Sequence, residues 1–163
     1  MGSWSRDELE REFERYQERG RAGDWSAWAD QFTEDAQYVE HVYGTFEGRE
    51  AIRAWIVETM GTFPGNEMPV FPIEWHIVDE DRGWIVAKIW NQMQDPGDGS
   101  VHGAEVITVL HYAGDGKWSY EEDAYNPMNF LMMIQAYIQR CHKLGTISDD
   151  AKTFAKNMNW ELA

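Results

Sequence analysis

The sequence predicts a single α+β domain that spans residues 1–163. A length of 163 residues suits one domain with one core. Apolar residues recur at helical spacing near both ends of the chain, whereas its middle is rich in Val, Ile, Trp and Tyr. Short turn-forming segments separate these middle stretches, which favours an antiparallel meander with helices on one face of a curved sheet.

The chain begins with two predicted helices. Ser5 and Glu8 have the spacing of a capping box, in which each residue satisfies a free amide at a helix start. The first helix is expected to end near Gly20 or Gly23, because glycine suits the left-handed position after a helix. A second, short helix follows directly.

The middle of the chain is predicted to form strands with one helix between the first two. β-branched and aromatic residues, bounded by Gly, Pro and Asp, mark the strands. Ile52, Trp55, Ile56 and Met60 recur at helical spacing and mark the intervening helix. The predicted strands are 37–43, 70–78, 84–94, 104–112 and 117–125.

The C-terminal part of the chain is predicted to be a helical extension over about residues 127–160. Pro127 follows Asn126 and suits the first position of a helix that runs to about Leu144. Ser148 is expected to cap a last helical segment.

Composition excludes several classes of protein. The chain carries 29 acidic and 14 basic residues, a net charge of −15, so binding to nucleic acid or to an anionic membrane surface is not expected. Cys141 is the lone cysteine, which excludes an internal disulfide and a cysteine zinc site. No apolar run reaches the roughly 20 residues that span a bilayer, and no signal-type stretch is visible, so we expect a soluble cytoplasmic protein.

Four stretches of the chain resemble the SnoaL-like and nuclear transport factor 2-like superfamily, which includes polyketide cyclases, ketosteroid isomerases, scytalone dehydratase and limonene epoxide hydrolase. The resemblance covers about residues 5–130. It implies a cone-shaped, strongly curved antiparallel or mixed sheet, wrapped by the N-terminal helices around an apolar pocket. The stretches are 22–25 (AGDW), 32–41 (FTEDAQYVEH), 46–52 (FEGREAI) and 116–127 (GKWSYEEDAYNP).

The resemblance also suggests catalytic residues. His41 matches the proton-abstracting aspartate of ketosteroid isomerases, and imidazole suits general-base work near neutral pH. Tyr16 matches their oxyanion-stabilising tyrosine, whereas Thr108 stands where they hold a protonated aspartic acid. Asp123 matches a catalytic aspartate of limonene epoxide hydrolase, although residues 90–92 lack the Arg–Asp pair of that enzyme. His102 is expected to assist His41, because it shares a strand face with Thr108.

Strand alternation assigns further residues to the pocket or to the outside. Counting from Asp123, Glu121 and Tyr125 point into the pocket, whereas Trp118 and Tyr120 point outward. The orientation of His76 and His111 stays open. The residues expected to contact the substrate are Tyr38, Trp55, Thr108, Glu121 and Tyr125.

Three functions are consistent with these residues. The first is an acid–base enzyme without metal or organic cofactor, a cyclase, isomerase or dehydratase-type lyase, acting on a small hydrophobic and cyclic or aromatic substrate. The second is a non-catalytic module that binds a small apolar molecule. The third is a dimerisation domain with its aromatic residues on the outer sheet face. A homodimer is expected in each case, because that face would otherwise expose an apolar patch.

Overall fold

The structure is a computed structural model that describes residues 4–163. The α+β class is confirmed, with helices at both ends of the chain and a sheet between them. The helices within this range are α1 (Arg6–Ala22), α2 (Trp25–Ala29), α3 (Arg49–Gly61), α4 (Pro127–Leu144) and α5 (Asp149–Asn157). The strands are β1 (Phe32–Glu40), β2 (Gly44–Glu47), β3 (Ile73–Asp79), β4 (Trp84–Gln92), β5 (Gly103–Gly114) and β6 (Lys117–Ala124).

The strands form one mixed sheet in the order β2-β1-β6-β5-β4-β3. The last four strands are the predicted antiparallel meander, since each pairs with the next along the chain. β1 lies parallel to β6, so the first and last long strands of the sheet are neighbours. This pairing matters for function, because it brings side chains from both strands to the same concave face.

Side-chain caps start the helices where the sequence places them. Ser5 Oγ accepts a hydrogen bond from the Glu8 amide at 3.2 Å, and the Asn126 side chain accepts one from the Met128 amide at 3.0 Å. Gly23, with a φ of 72°, ends α1 in the left-handed conformation that glycine adopts without strain. These local contacts fix where α1 begins and ends and where α4 begins.

Two apolar clusters hold the helices against the sheet. Side chains of α1, α2 and α3 pack with the concave face of the sheet around Phe13, Trp28 and Phe32. The second cluster joins α4 and α5 through Tyr137, Ile138 and Ala151 to residues near the ends of β4 and β5. The concave face between the two clusters is left partly open.

The beginning of the sheet differs from the prediction. β1 begins at Phe32 instead of residue 37, and the unpredicted strand β2 follows it after a turn at 41–43. β2 has four residues, which are mostly exposed, so it carries little of the burial pattern that marks a strand in sequence. At the other end of the sheet, Val70 forms only an isolated bridge to Gln92, and β3 begins at Ile73.

A bulge in β6 turns Trp118 into the core. His111 pairs with Tyr120, yet the next residue, Tyr112, pairs with Trp118, so Ser119 is the extra residue of β6. A bulge reverses the alternation of the side chains that precede it. The prediction that Trp118 faces outward is therefore wrong, since Trp118 is 1% exposed. Tyr120 stacks on the ring of His111 on the outer face, with ring centroids 4.3 Å apart.

No helix within residues 4–163 is both long and apolar enough to cross a membrane.

Close packing at the start of the 3₁₀ turn Gly65–Glu67 gives a first prediction. A Cβ atom built on Gly65 would lie 2.2 Å from the carbonyl oxygen of Thr59, so the Gly65→Ala variant must displace backbone. We expect its free energy of unfolding to fall by about 1–3 kcal/mol in urea denaturation.

Gly61→Ala is the matched control, because a Cβ there meets no atom within 4 Å among the described residues. Its stability should stay the same or rise by about 0.5–1 kcal/mol. Equal effects of the two substitutions would contradict the close packing at Gly65.

Candidate functional site

A cavity of about 600 Å³ opens between the concave face of the sheet and the helices. This volume suits a small organic molecule. Its walls are largely apolar and include side chains of α1–α4, β1 and β6. Aromatic rings from across the chain line it: Tyr16, Trp25, Trp28, Tyr38, Tyr43, Trp55, Phe63, Phe71, Tyr125, Phe130 and Phe154.

A pair of carboxyl groups lies in this cavity. Glu121 and Asp123 are two residues apart on β6, so both side chains point to the concave face. The Tyr16 hydroxyl donates to Glu121 Oε1 at 2.6 Å. The Tyr38 hydroxyl donates to Asp123 Oδ2, and Thr108 Oγ1 donates to Asp123 Oδ1, both at 2.5 Å.

Strand register explains why these side chains meet. Tyr38 of β1 lies opposite Glu121 in the parallel pair, and Thr108 of β5 lies opposite Asp123 in the antiparallel pair. β6 therefore receives one hydroxyl donor from each neighbouring strand, and α1 adds the third donor, Tyr16, from above the sheet.

One oxygen of the pair has no hydrogen-bond partner. Glu121 is 1% exposed, and no donor or acceptor in the described part of the chain reaches its Oε2 atom. A buried polar atom without a partner costs free energy, and such atoms in native proteins often mark a binding or catalytic site. Because Oε1 already accepts from Tyr16, Oε2 is the oxygen of Glu121 that is free to carry a proton toward a ligand.

Burial shifts the acidity of both carboxyl groups upward. Desolvation raises the pKa of Asp123 to about 6. The hydrogen bonds from Thr108 and Tyr38 lower this pKa, but the effect of desolvation is larger. Desolvation also raises the pKa of Glu121 well above its usual value, and the nearby charge of Asp123 adds to the effect. Because the charge of Asp123 raises the pKa of Glu121, Asp123 is the first of the pair to lose its proton as the pH rises, and Glu121 keeps its proton longer.

The two tyrosines of the pair remain hydrogen-bond donors. Burial raises the pKa of Tyr16 and of Tyr38 well above the usual value, and the charges of Glu121 and Asp123 raise them further. Both phenols stay protonated near neutral pH. The Tyr16 hydroxyl donates its proton in a hydrogen bond to Glu121, so it is not available to donate to a ligand in the cavity.

A third acid, Glu40, stands beside the pair on the neighbouring strand. Glu40 lies opposite Asp123 in the β1–β6 register and is 5% exposed. Its Oε2 atom accepts from the amides of Val42 and Tyr43 at 2.7 and 2.5 Å, and Oε1 accepts from the Tyr125 hydroxyl. Glu40 was not among the sequence candidates, although alternation from Tyr38, two residues earlier, would have placed it on the pocket face.

The structure does not bring His41 into the cavity. His41 follows β1 in the turn to β2, and its Nε2 atom lies 2.9 Å from Glu122 Oε1 on the outer side of the sheet. Its side chain is 40% exposed. The expectation that His41 faces the pocket is wrong, because Glu40 takes the inward position and the next residue points away.

His102 lies outside the cavity as well. It precedes β5, and its Nε2 atom lies 3.2 Å from Ser100 Oγ, while its ring packs against Tyr137 of α4. Partial burial lowers its pKa, so the ring is neutral near pH 7. The expected His41–His102 pair is absent within residues 4–163, since neither ring is among the cavity-lining residues.

The other residues expected at the site line the same cavity, whereas His76 and His111 do not. Trp55 packs on Tyr38 with ring centroids 4.8 Å apart, and Tyr125 borders the cavity above Glu40. Thr108 and Glu121 also line the cavity. Of the two histidines with open orientation, His76 pairs with Glu10 of α1 at 2.7 Å, and His111 stacks on Trp84 at 4.1 Å on the outer face.

We searched the described residues for side chains that could bind a metal ion. No group of three or more His, Cys, Asp and Glu side chains within residues 4–163 is placed to hold a metal ion.

The raised pKa of Asp123 gives a second prediction. Its folded pKa of about 6 exceeds the usual 3.8, so the stability that Asp123 contributes is present at low pH and is lost as pH rises through 6. The difference in unfolding free energy between the wild type and Asp123→Asn should fall by about 2 kcal/mol between pH 4 and pH 7.

Glu122→Gln is the control for that measurement. Its partner His41 lowers the pKa of Glu122, so the stability that Glu122 contributes is present above its unfolded pKa and is lost as pH falls. The wild type and this variant should diverge in the opposite direction with pH. A pH-independent difference for Asp123→Asn would contradict the raised pKa.

Comparisons with known proteins agree with this geometry, although no curated protein matches the chain in sequence. The epoxide hydrolase/cyclase-like enzyme SalBIII, with a role in pyran ring formation in polyether salinomycin, superposes with a TM-score of 0.60 at 15% identity, over 76% of this chain and 94% of that one. A hypothetical protein with a ketosteroid isomerase-like fold from Catenulispora acidiphila, in complex with trimethylamine, gives 0.55 at 20% identity, over 68% and 81%.

An NTF-2 like protein of unknown function from Burkholderia xenovorans gives a TM-score of 0.54 at 16% identity, over 72% of this chain and 82% of that one. At these identities the likeness shows the fold alone, and it confirms the cone-shaped sheet that the sequence predicts. A family model described as a SnoaL-like domain matches residues 13–121, which is more than half of the chain. The chain therefore belongs to the SnoaL-like domain family.

Proposed function

We propose that the protein is a cofactor-independent acid–base enzyme of the cyclase, isomerase or dehydratase type, acting on a small hydrophobic, cyclic or aromatic substrate. The fold family includes enzymes of these kinds. The observation that carries the proposal is the buried pair in which Glu121 presents an unpartnered oxygen beside the more acidic Asp123. Two titratable groups whose environments separate their pKa values can serve as acid and base.

The pair divides the work of a proton transfer. Protonated Glu121 donates its proton to a carbonyl oxygen of the substrate, and ionised Asp123 removes a proton from the α-carbon, which is the carbon next to the carbonyl carbon. The electron pair of the broken C–H bond forms a double bond between the α-carbon and the carbonyl carbon, and the π electrons of the carbonyl group move to its oxygen, which becomes the hydroxyl of an enol. Return of a proton from Asp123 to the substrate carbon and of the enol proton to Glu121 restores both groups. Two residues of strand place the Cα atoms of Glu121 and Asp123 roughly 7 Å apart on the same face, so both side chains can reach one substrate.

Surrounding residues prepare the pair and the substrate oxygen. Tyr16 and Tyr38 hold one oxygen of each carboxyl group, so neither side chain must reorient during the reaction. Trp55 Nε1 is a buried donor without a partner among residues 4–163, and it offers the substrate oxygen a second hydrogen bond. The apolar walls exclude water, which strengthens each of these electrostatic contacts.

Catalysis by the pair predicts the effect of three substitutions on one strand. Asp123→Asn removes the base and Glu121→Gln removes the acid, and each should slow proton exchange by about 100-fold or more. Glu122→Gln lies between them on the opposite face and should change the rate less than twofold. The rate to be measured is hydrogen–deuterium exchange at the α-carbon of a cyclic ketone, 2-tetralone, followed by proton NMR.

The same assay separates the enzyme from a binding module. Wild-type protein that binds 2-tetralone and related cyclic ketones without accelerating their exchange would show that the cavity binds and does not catalyse. Equal loss of rate in Glu122→Gln and Asp123→Asn would show that the effect is structural and would contradict the assigned roles.

For partners other than the substrate, the fold family is the only guide. Proteins of this fold bind small hydrophobic ligands and are often oligomeric. The outer sheet face carries half-exposed aromatic residues, among them Trp84 and Tyr120, and β3 exposes Trp75 and Ile77. A homodimer through this face, and a cytoplasmic location, stay predictions from the sequence.

A further inference from the structure

We propose that the molecule bound in this cavity carries a positive charge, and that it is a protonated amine on a small apolar skeleton. The inference rests on the site proposed above and adds the charge of the ligand, which the acid–base mechanism leaves open. Three features of the cavity support it: the sign of its charges, the arrangement of its carboxyl groups and the position of its aromatic rings.

The cavity walls carry charges of one sign. Every Asp, Glu, Lys, Arg or His side chain that lines the cavity in the described part of the chain is a carboxylic acid, namely Glu40, Glu58, Glu121 and Asp123. No Lys, Arg or His from residues 4–163 is among the lining residues. An anionic ligand would enter an apolar space without any counter-charge and beside carboxyl groups, which is strongly unfavourable. The net charge of −15 over the whole chain acts in the same direction.

Two of these acids are neighbours deep in the cavity. Glu40 and Asp123 lie opposite each other on β1 and β6; Glu40 is buried, and Asp123 is partly buried in the cavity wall. Their hydrogen bonds come from hydroxyl and amide groups, and no Lys or Arg side chain in the described part of the chain forms a hydrogen bond or ion pair with either of them. A buried carboxylate is stabilised by a paired cation. The ligand is the component that can supply it.

Aromatic rings surround the same region. Trp55 lies with its ring centroid 4.8 Å from that of Tyr38 and 6.2 Å from that of Tyr43, and Phe46 stacks behind it at 4.6 Å. Tyr38 is also the donor to Asp123, so this group of rings borders the carboxyl groups. The face of an aromatic ring attracts a cation within about 6 Å, most strongly for Trp. Carboxylate and ring faces together favour an ammonium group over a neutral polar group of the same size.

A binding series with one skeleton tests the charge. The probes are 2-phenylethylamine, 2-phenylethanol and phenylacetate, which are cationic, neutral and anionic at pH 7.5 and nearly equal in size. Binding is measured by isothermal titration calorimetry in 0.15 M salt. We expect the amine to bind at least tenfold more tightly than the alcohol, and phenylacetate to bind more weakly than both.

Variants locate the binding and separate it from general attraction to an acidic protein. In Asp123→Asn, the dissociation constant of the amine should come to within about twofold of that of the alcohol. Glu122→Gln removes one charge from the outer face of the sheet and should keep the tenfold preference for the amine. Equal binding of the amine and alcohol, no measurable binding of the amine, or an equal loss in both variants would overturn the proposal.

The hydrogen–deuterium exchange assay with 2-tetralone tests the proposed enzyme function separately from the charge of the ligand. Loss of exchange in Asp123→Asn without any preference for the amine would leave the acid–base role standing and reject the charge class. A preference for the amine without catalysis of exchange would support a cation-binding module and reject the enzyme.

Discussion

The site depends on the burial of two carboxyl groups on one strand in an apolar cavity. Burial limits the solvation of Glu121 and Asp123, and hydroxyl groups of the protein hydrogen-bond to both. Tyr16, Tyr38 and Thr108 supply these contacts from α1, β1 and β5. The same contacts that hold the carboxyl groups also connect the first helix and both neighbouring strands to β6. The position of the candidate acid and base is thus a consequence of how the sheet and its covering helix are joined.

Glu121 and Asp123 differ in the number of hydrogen bonds that their carboxyl groups accept, and this difference separates their pKa values. Asp123 has two donors and keeps its pKa near 6, whereas Glu121 has one donor to Oε1 and a free Oε2, and its pKa rises further. As the pH rises, Asp123 therefore loses its proton first, which is the difference that the proposed acid and base roles require. Neither a metal nor a histidine is needed for this difference, because burial and hydrogen bonding suffice to produce it.

Much of this arrangement could be predicted from the sequence, and the failures have physical causes. Alternation along β6 correctly turned Glu121 and Asp123 to one face. Trp118 escaped prediction because the bulge at Ser119 leaves no mark in composition or periodicity. His41 was assigned from its resemblance to isomerases, yet β1 turns its preceding residue inward. The hydroxyl partners of the carboxyl groups come from distant parts of the chain, so no local pattern pairs them.

The central claim is that burial raises the pKa of both carboxyl groups and that Asp123 loses its proton before Glu121. Titration of the side-chain carboxyl carbons by ¹³C NMR, with the resonances assigned through Asp123→Asn and Glu121→Gln, measures both groups directly. The structure predicts that Asp123 titrates with a pKa of about 6 and that Glu121 remains protonated beyond it. Two carboxyl groups that both titrate at about 4, the ordinary solution value, would contradict the account.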